Sequence, residues 1–291
     1  MIQAKVVADS IYKGKRITSF VVTMPRIVLA ELNTHRALSR NSASSRAIKF
    51  TKMLESVKTN PFIPIAWMKD HPGMQGNEFF TDEKDIKILE ETYLKGRDAA
   101  VATAESLSNL GLTKQIVNRG LEAYMWHTVI ITGTEWENYF ALRAHEAAEI
   151  HIQKLAHIML DEMNQASPKE LQAGEWHIPF GESMPKDEDI WEQDENRPSN
   201  KEEISEFKIK VATARCARVS YTIVGEEGKP DNYANDIKLH DRLLDMGHLS
   251  PFEHCAQATD EDGWSGNFKG WIQYRKILPN ENRNDSRLLK K

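Results

Sequence analysis

The chain has very little cysteine. Cys216 and Cys255 are the only two in 291 residues, and no CxxC pair is formed. This excludes a disulfide scaffold and a thiolate zinc site, and it points to a reducing compartment, the cytoplasm. Nowhere does an apolar run approach the roughly 20 residues that span a bilayer. The start, Met1 to Lys5, lacks the charged region and apolar core of a signal peptide. There is no excess of positive charge. The formal net charge of −5 argues against a general affinity for nucleic-acid polymers, so neither these nor membranes are expected partners. No G-x-S-x-G elbow marks a serine hydrolase. His145-Glu146 and His151 fall short of a zinc-protease helix. Its histidines stand at i and i+4, whereas these are six apart and diverge by about 240° on a helix. His145, His151 and His157 therefore read as helix-surface or core residues, and no metal is expected.

What is present is an ordinary mixture, 40% hydrophobic and 28% charged, suited to one large globular domain over residues 1–291. Loop insertions are expected at about 60–82, rich in Pro and Gly, and at 174–200, strongly acidic and carrying Trp176 and Trp191. Alternating Val, Ile and Thr at 2–9 and 17–24 predict a hairpin around Tyr12-Lys13-Gly14-Lys15, closed by Pro25. A helix is expected to begin at Ile27–Leu32 and run toward the serine-rich stretch that follows. Further helices are expected at 82–109, stopped by Gly111, and at 113–127, with Ile116 facing inward. Val129 to Thr132 reads as a short strand. Glu135 to Gln165 reads as one long helix with Leu142 among its buried positions. Ser167-Pro168-Lys169-Glu170 and Ser199-Asn200-Lys201-Glu202 have capping-box spacing and predict two helix starts. A polar turn is expected at Gly225 to Asn235, then an amphipathic helix over 235–246 capped by Gly247.

Three stretches carry chemistry. Between Glu31 and Glu55 there is no carboxylate, yet Arg36, Arg40, Arg46, Lys49 and Lys52 fall there among serines. Forked guanidinium donors and hydroxyls suit a bound anion; a solvated helix end with capping serines would have the same composition. Arg143 follows an apolar run and needs anionic or polar partners if buried. Glu137 or Glu146 would serve as a structural salt bridge. Gly247 to His254 packs two histidines, a serine and a glutamate around Pro251 and Phe252, either as a cofactor wall or as a helix cap and proline turn.

Together these stretches resemble the flavin-dependent thymidylate synthases. The family's R-H-R-x-x-S-x-N-E-x-S-x-R-Y run is similar to Thr34-His35-Arg36-x-x-Ser39-x-Asn41-Ser42-x-Ser44-x-Arg46-Ala47. Its N-F-x-x-L-R element is similar to Asn138 to Arg143, its A-R-V-S element to Ala217 to Ser220, and its H-x-S/T-P-x-E-H element to His248 to His254. Thr34, Ser42 and Ala47 depart from the pattern, and Glu31 stands at the family's glutamine. A second base-contacting arginine falls near Gln115 or Arg119. The last two elements precede the hallmark run in the usual family and follow it here, which resembles a circular permutation.

The resemblance implies an α/β (α+β) fold with a central, mainly antiparallel sheet. It implies a homotetramer with sites shared between subunits, binding FAD, NADPH, 5,10-methylenetetrahydrofolate and dUMP. His35, Arg36, Ser39, Asn41, Asn138, Ser220, His248, Ser250 and Glu253 would contact the cofactors. Glu31, Ser44, Arg46, Arg119 and Arg143 would bind the substrate. Arg143 and Ser44 would serve the chemistry, Ser44 without acting as a covalent nucleophile. The departures leave open a related enzyme that hydroxymethylates a pyrimidine at C5, and a non-catalytic nucleotide-binding protein on the same scaffold.

Overall fold

Two runs of alternating β-branched residues pair as expected. β1 (Gln3–Tyr12) and β2 (Lys15–Pro25) form an antiparallel hairpin whose turn places Lys13 at φ 46° and Gly14 at φ 77°. The structure, a computed structural model, describes residues 1–73, 76–184, 200–221, 233–279 and 281. Trp191, Ser199 and most of the turn expected at Gly225 to Asn235 lie outside the described residues. β2 also pairs antiparallel with β4 (Trp126–Gly133), which pairs in turn with β3 (Ser39–Ser42). The five-stranded sheet runs β3-β4-β2-β1-β5, antiparallel except where β5 (Lys169–Glu170) lies parallel to β1. The fold is thus mixed α and β around a mainly antiparallel sheet.

The sheet is covered on both faces because its central strands are apolar on both. Phe20, Val22 and Met24 with Val129 and Ile131 pack against α5 (Glu137–Arg143) and α6 (Ile150–Gln165) through Trp136, Tyr139, Ile152, Leu155 and Met159. On the other face Val21 and Ile130 meet Cys216 and Val219 at the end of α7 (Lys201–Arg218). Each fully buried large apolar side chain contributes about 1.5–3 kcal/mol. A second cluster joins α2 (Phe50–Thr59) to α3 (Glu83–Asn109) through Met53, Val57, Val101 and Ala104. Asp82 caps α3, and Gly111 ends its last turn at φ 82°. α8 (Tyr233–Met246) lies on α7, with Gly247 at φ 72° just beyond it. The remaining strands are β6 (Trp176–His177), β7 (Ala256–Ala258) and β10 (Trp271–Gln273) in one small sheet, and the hairpin of β8 (Trp264–Ser265) and β9 (Phe268–Lys269).

Several expectations are corrected. The helix after Pro25 is α1 (Leu29–Asn33) alone, and the hallmark run continues as a turn and β3 because β4 offers it a strand edge. The helix expected over 113–127 is α4 (Lys114–Val117) followed by a 3-10 stretch to Tyr124, and Ile116 is exposed. The long helix at 135–165 is broken between Arg143 and Ile150. There the Glu149 side chain accepts from the His151 and Ile152 amides and starts α6 anew. The break leaves Leu142 exposed. Ser167 to Glu170 opens no helix, since Lys169 and Glu170 pair with Ser10 and Ile11 as β5. At α7 the cap is Asn200, which accepts from the Glu202 and Glu203 amides.

Candidate functional site

β3 is the element on which the chemistry-bearing stretches meet. Its pairing with β4 sends Ser39 and Asn41 inward, and both side chains are consumed in holding neighbours. Asn41 Nδ2 donates to the Cys216 carbonyl (2.7 Å) and the Ser220 hydroxyl (3.3 Å). Ser250 Oγ donates to Asn41 Oδ1 (3.4 Å), and the Ser44 amide donates to the Ser220 carbonyl (2.9 Å). Ala217 to Ser220, His248 to His254 and the hallmark run therefore share one locality despite their separation in sequence. Arg218 of the first segment is turned away from it, donating to buried Asp236 at 2.8 Å.

Beyond β3 the chain from Ala43 to Arg46 lines an open cleft of about 610 Å³. Arg26, Leu29, Arg40, Asn41, Ser44, Arg46, Arg119 and Glu122 also contribute to it. Four guanidinium groups face one carboxylate, so the cleft is strongly cationic in an acidic chain. Glu122 pairs with Arg26 at 3.3 Å. Ser44 Oγ accepts from the Arg46 amide at 3.3 Å, a local turn that presents hydroxyl and guanidinium together. Underneath, buried Asn118 donates to the Ser45 carbonyl (2.8 Å) and the Ile48 carbonyl (3.0 Å). Asn118→Ala should leave the buried Ile48 carbonyl and the part-buried Ser45 carbonyl without this donor and cost about 1–3 kcal/mol. A fall in thermal midpoint checks this; an unchanged melt counts against the clamp.

Arg143 sits elsewhere. Its Nε donates to His35 Nε2 (2.9 Å), and Nη2 reaches Thr34 Oγ1 (3.2 Å) and the Glu31 carbonyl (3.4 Å). It pairs with neither Glu137 nor Glu146, the salt-bridge partners expected from the sequence. Burial, then the charges of Arg143 and Arg40, lower the pKa of His35 below its ordinary value. A neutral imidazole can accept from a guanidinium, which a protonated one cannot. His35 also stands edge-on to Tyr139 at 5.0 Å, which fixes its ring. Arg143 does not line the cationic cleft of its own chain. Glu31 keeps one carboxylate oxygen buried without a hydrogen-bond partner and does not line the cleft either. Asn138, His248 and Ser250 are exposed. Arg36 and Glu253 line a separate hollow with Arg40.

Sequence reasoning missed Arg26 and Glu122 as cleft residues. Arg26 lies just past Pro25, and only the β2–β4 pairing, with Pro25 opposite Trp126, brings it beside the 3-10 stretch carrying Glu122. Arg40 occupies an unspecified position of the hallmark run, yet it borders both cavities and donates to the His35 carbonyl at 2.5 Å. Among the described residues no cluster of three or more His, Cys, Asp or Glu could hold a metal ion, and no helix is long and apolar enough to cross a membrane.

A model of the thymidylate synthase complementing protein family matches residues 15–169, just over half of the chain. No curated protein matches. Two similar solved structures are of the UMP/dUMP methylase PolB from Streptomyces cacaoi, one bound with 5-Br dUMP and one with 5-Br UMP. Each has a TM-score of 0.48 and 14% identity over 57% of this chain, covering 90% and 89% of the other. The family match ends before Ala217 to Ser220 and His248 to His254.

Proposed function

This chain belongs to the thymidylate synthase complementing protein family, and from that membership we propose that it transfers a one-carbon unit from 5,10-methylenetetrahydrofolate to C5 of dUMP, giving dTMP, with FAD and NADPH as redox cofactors. The observation that carries this reading is the cationic cleft with Ser44 and Arg46 at its edge. A nucleotide phosphate is an oxyanion that takes hydroxyl donors and bidentate guanidinium donors, the groups this turn supplies. Arg119 lines the same wall and supplies a further fork.

Arg143 acts at the base. A guanidinium aimed at a uracil carbonyl oxygen stabilises the negative charge that develops there as C5 becomes nucleophilic. Its own chain's cleft lies away from it, so it serves the site of a neighbouring copy in a homotetramer. His35 and Thr34 hold it in place meanwhile.

The donor chemistry fits a phosphorylated flavin. Arg36, Asn138, His248 and Ser250 are exposed, and Ser220 is half-buried. Ser39, Asn41 and Glu253 are bonded within the fold and position these groups. When bound, the flavin supplies the hydride and the folate supplies the carbon. The protein supplies placement and charge. The order of the motifs supports a circularly permuted member. A chain rejoined with residues 200–291 ahead of 1–199 that cannot fold would count against permutation.

The test is direct. Purified protein reconstituted with FAD, then given dUMP, the folate and NADPH, should yield a nucleotide bearing a methyl group by mass spectrometry. A hydroxymethyl product would replace the methylation reading, and a protein that retains no flavin absorbance after desalting would overturn the flavoenzyme reading. Arg46→Gln should weaken dUMP binding about tenfold to a hundredfold by calorimetry, the loss of one charge-assisted fork. Unchanged affinity would remove the phosphate from this turn.

A further inference from the structure

The cationic cleft carries more positive charge than a monophosphate needs. Four guanidinium groups face one carboxylate there, whereas a nucleoside monophosphate brings about two negative charges. Ser44, Arg46 and Arg119 suffice for one phosphoryl group. Arg26 and Arg40 are additional. Arg26 lies outside the hallmark run, and Arg40 stands at an unspecified position within it.

Both additional arginines are held in place by the fold. The Arg26 amide donates to the Met125 carbonyl at 2.9 Å. Its Nη2 stands 3.3 Å from Glu122 Oε2, and its Nη1 stands 3.5 Å from His127 Nε2. His127 is buried, and burial followed by the Arg26 charge lowers its pKa to about 3. The neutral imidazole gives Arg26 an acceptor and adds no opposing charge. The 3-10 stretch Asn118–Tyr124 carries Arg119 and Glu122 three residues apart, and side chains at that spacing eclipse on a 3-10 helix. Arg119, Glu122 and Arg26 therefore follow one another along one wall. The Arg26 and Glu122 side chains are 25% and 27% exposed, so a ligand can reach the pair. A phosphate oxygen can then replace the carboxylate as acceptor without leaving the guanidinium unpaired. Arg40, on β3, spends Nη1 on the His35 and Leu32 carbonyls at 2.5 and 3.3 Å. That anchors the side chain and keeps its other nitrogens for a ligand.

We propose that this cleft is built for a uracil nucleotide carrying more than one phosphate: Ser44, Arg46 and Arg119 take the first phosphoryl group, and Arg26 and Arg40 take the second. This rests on the preceding reading in placing the nucleotide here, and it deepens that reading by naming the substrate class. dUMP enters the same cleft but leaves Arg26 with Glu122. Glu122 is then a specificity-determining residue, because its carboxylate competes with the second phosphate for Arg26 and sets how strongly the longer nucleotide is preferred.

Calorimetry on the full chain in magnesium-free buffer tests it, with dUMP and dUDP as probes. dUDP should displace dUMP and bind about tenfold or more tightly, the gain from a further charge-assisted fork. Arg26→Gln should lower dUDP affinity about tenfold and dUMP affinity less, so that the preference shrinks. Glu122→Gln should move the preference the other way, since it releases Arg26 from its carboxylate. An ion pair that served stability alone would move both variants in the same direction. Glu122→Gln keeps Arg26 in place, so it decides the matter even where Arg26→Gln does not fold. dUDP that binds no more tightly than dUMP in the parent, or a preference that falls in Glu122→Gln, overturns the second-phosphate site and leaves the dUMP reading standing. Binding of neither nucleotide by the parent overturns the reading of the cleft itself.

Discussion

Arg143→Ala is expected to lower turnover by about 10²–10³-fold, the usual loss when a donor to a developing oxyanion is removed. Flavin retention is expected to stay as in the parent. The expectation comes from how the side chain is held. Three acceptors, His35 Nε2, Thr34 Oγ1 and the Glu31 carbonyl, fix the guanidinium at the end of α5. That leaves little reorganisation for the moment of reaction. Lysine at this position should rescue little, because a single ammonium cannot reproduce a fork held at two nitrogens. Steady-state rates with dUMP, read beside the flavin absorbance of the same sample, decide the matter. Near-parental turnover in Arg143→Ala would end its role at the base.

The second large effect is on stability in acid. His127, His177 and His254 are buried, and each has its pKa lowered to about 3. Burial is the main cause in all three; Arg26 adds to it for His127 and His254 adds to it for His177. His177 sits between Ser10 and Ser19, and a buried chain continues through Thr132 to His254 with spacings of 2.6–3.0 Å. Such groups stay neutral in the folded protein while the unfolded chain takes up protons below about pH 6.5. Their contribution is therefore complete above that pH and is lost as pH falls toward 3. Each histidine costs about 1.4 kcal/mol per pH unit, so the three together cost about 4 kcal/mol per unit. Against a total stability of about 5–15 kcal/mol, unfolding is expected between about pH 5 and pH 4. Circular dichroism with urea at stepped pH measures the slope directly. His177→Gln should reduce it by about a third. A flat profile from pH 6.5 to 4 would show that these imidazoles are not held neutral.

Much of the fold was legible because its signals are local. The hairpin followed from alternation on either side of Lys13-Gly14, and the 82–109 helix from its periodicity and Gly111. Breaks and swaps were not legible. Nothing in the composition of 135–165 says that Glu149 will cap a new helix there. Lys169-Glu170 becomes a strand only because β1 has a free edge beside it. Capping spacing and helical periodicity are conditions on neighbours in sequence, and a partner strand can override either.

For the site, the sequence alone determined the identity of the donors: a carboxylate-free run of arginines and serines, and motifs whose residue types match a known family. Only the tertiary structure decided which of those donors face a cavity. It turned Ser39 and Asn41 into internal ties and gave Arg218 to Asp236. It brought Arg26 into the cationic cleft and set Arg275 and Lys276 around the same hollow as Arg36. The reason is physical. A side chain's chemistry belongs to the residue, but whether its hydrogen bonds are spent within the fold or left for a ligand depends on strand pairing and burial, which join residues more than 200 positions apart.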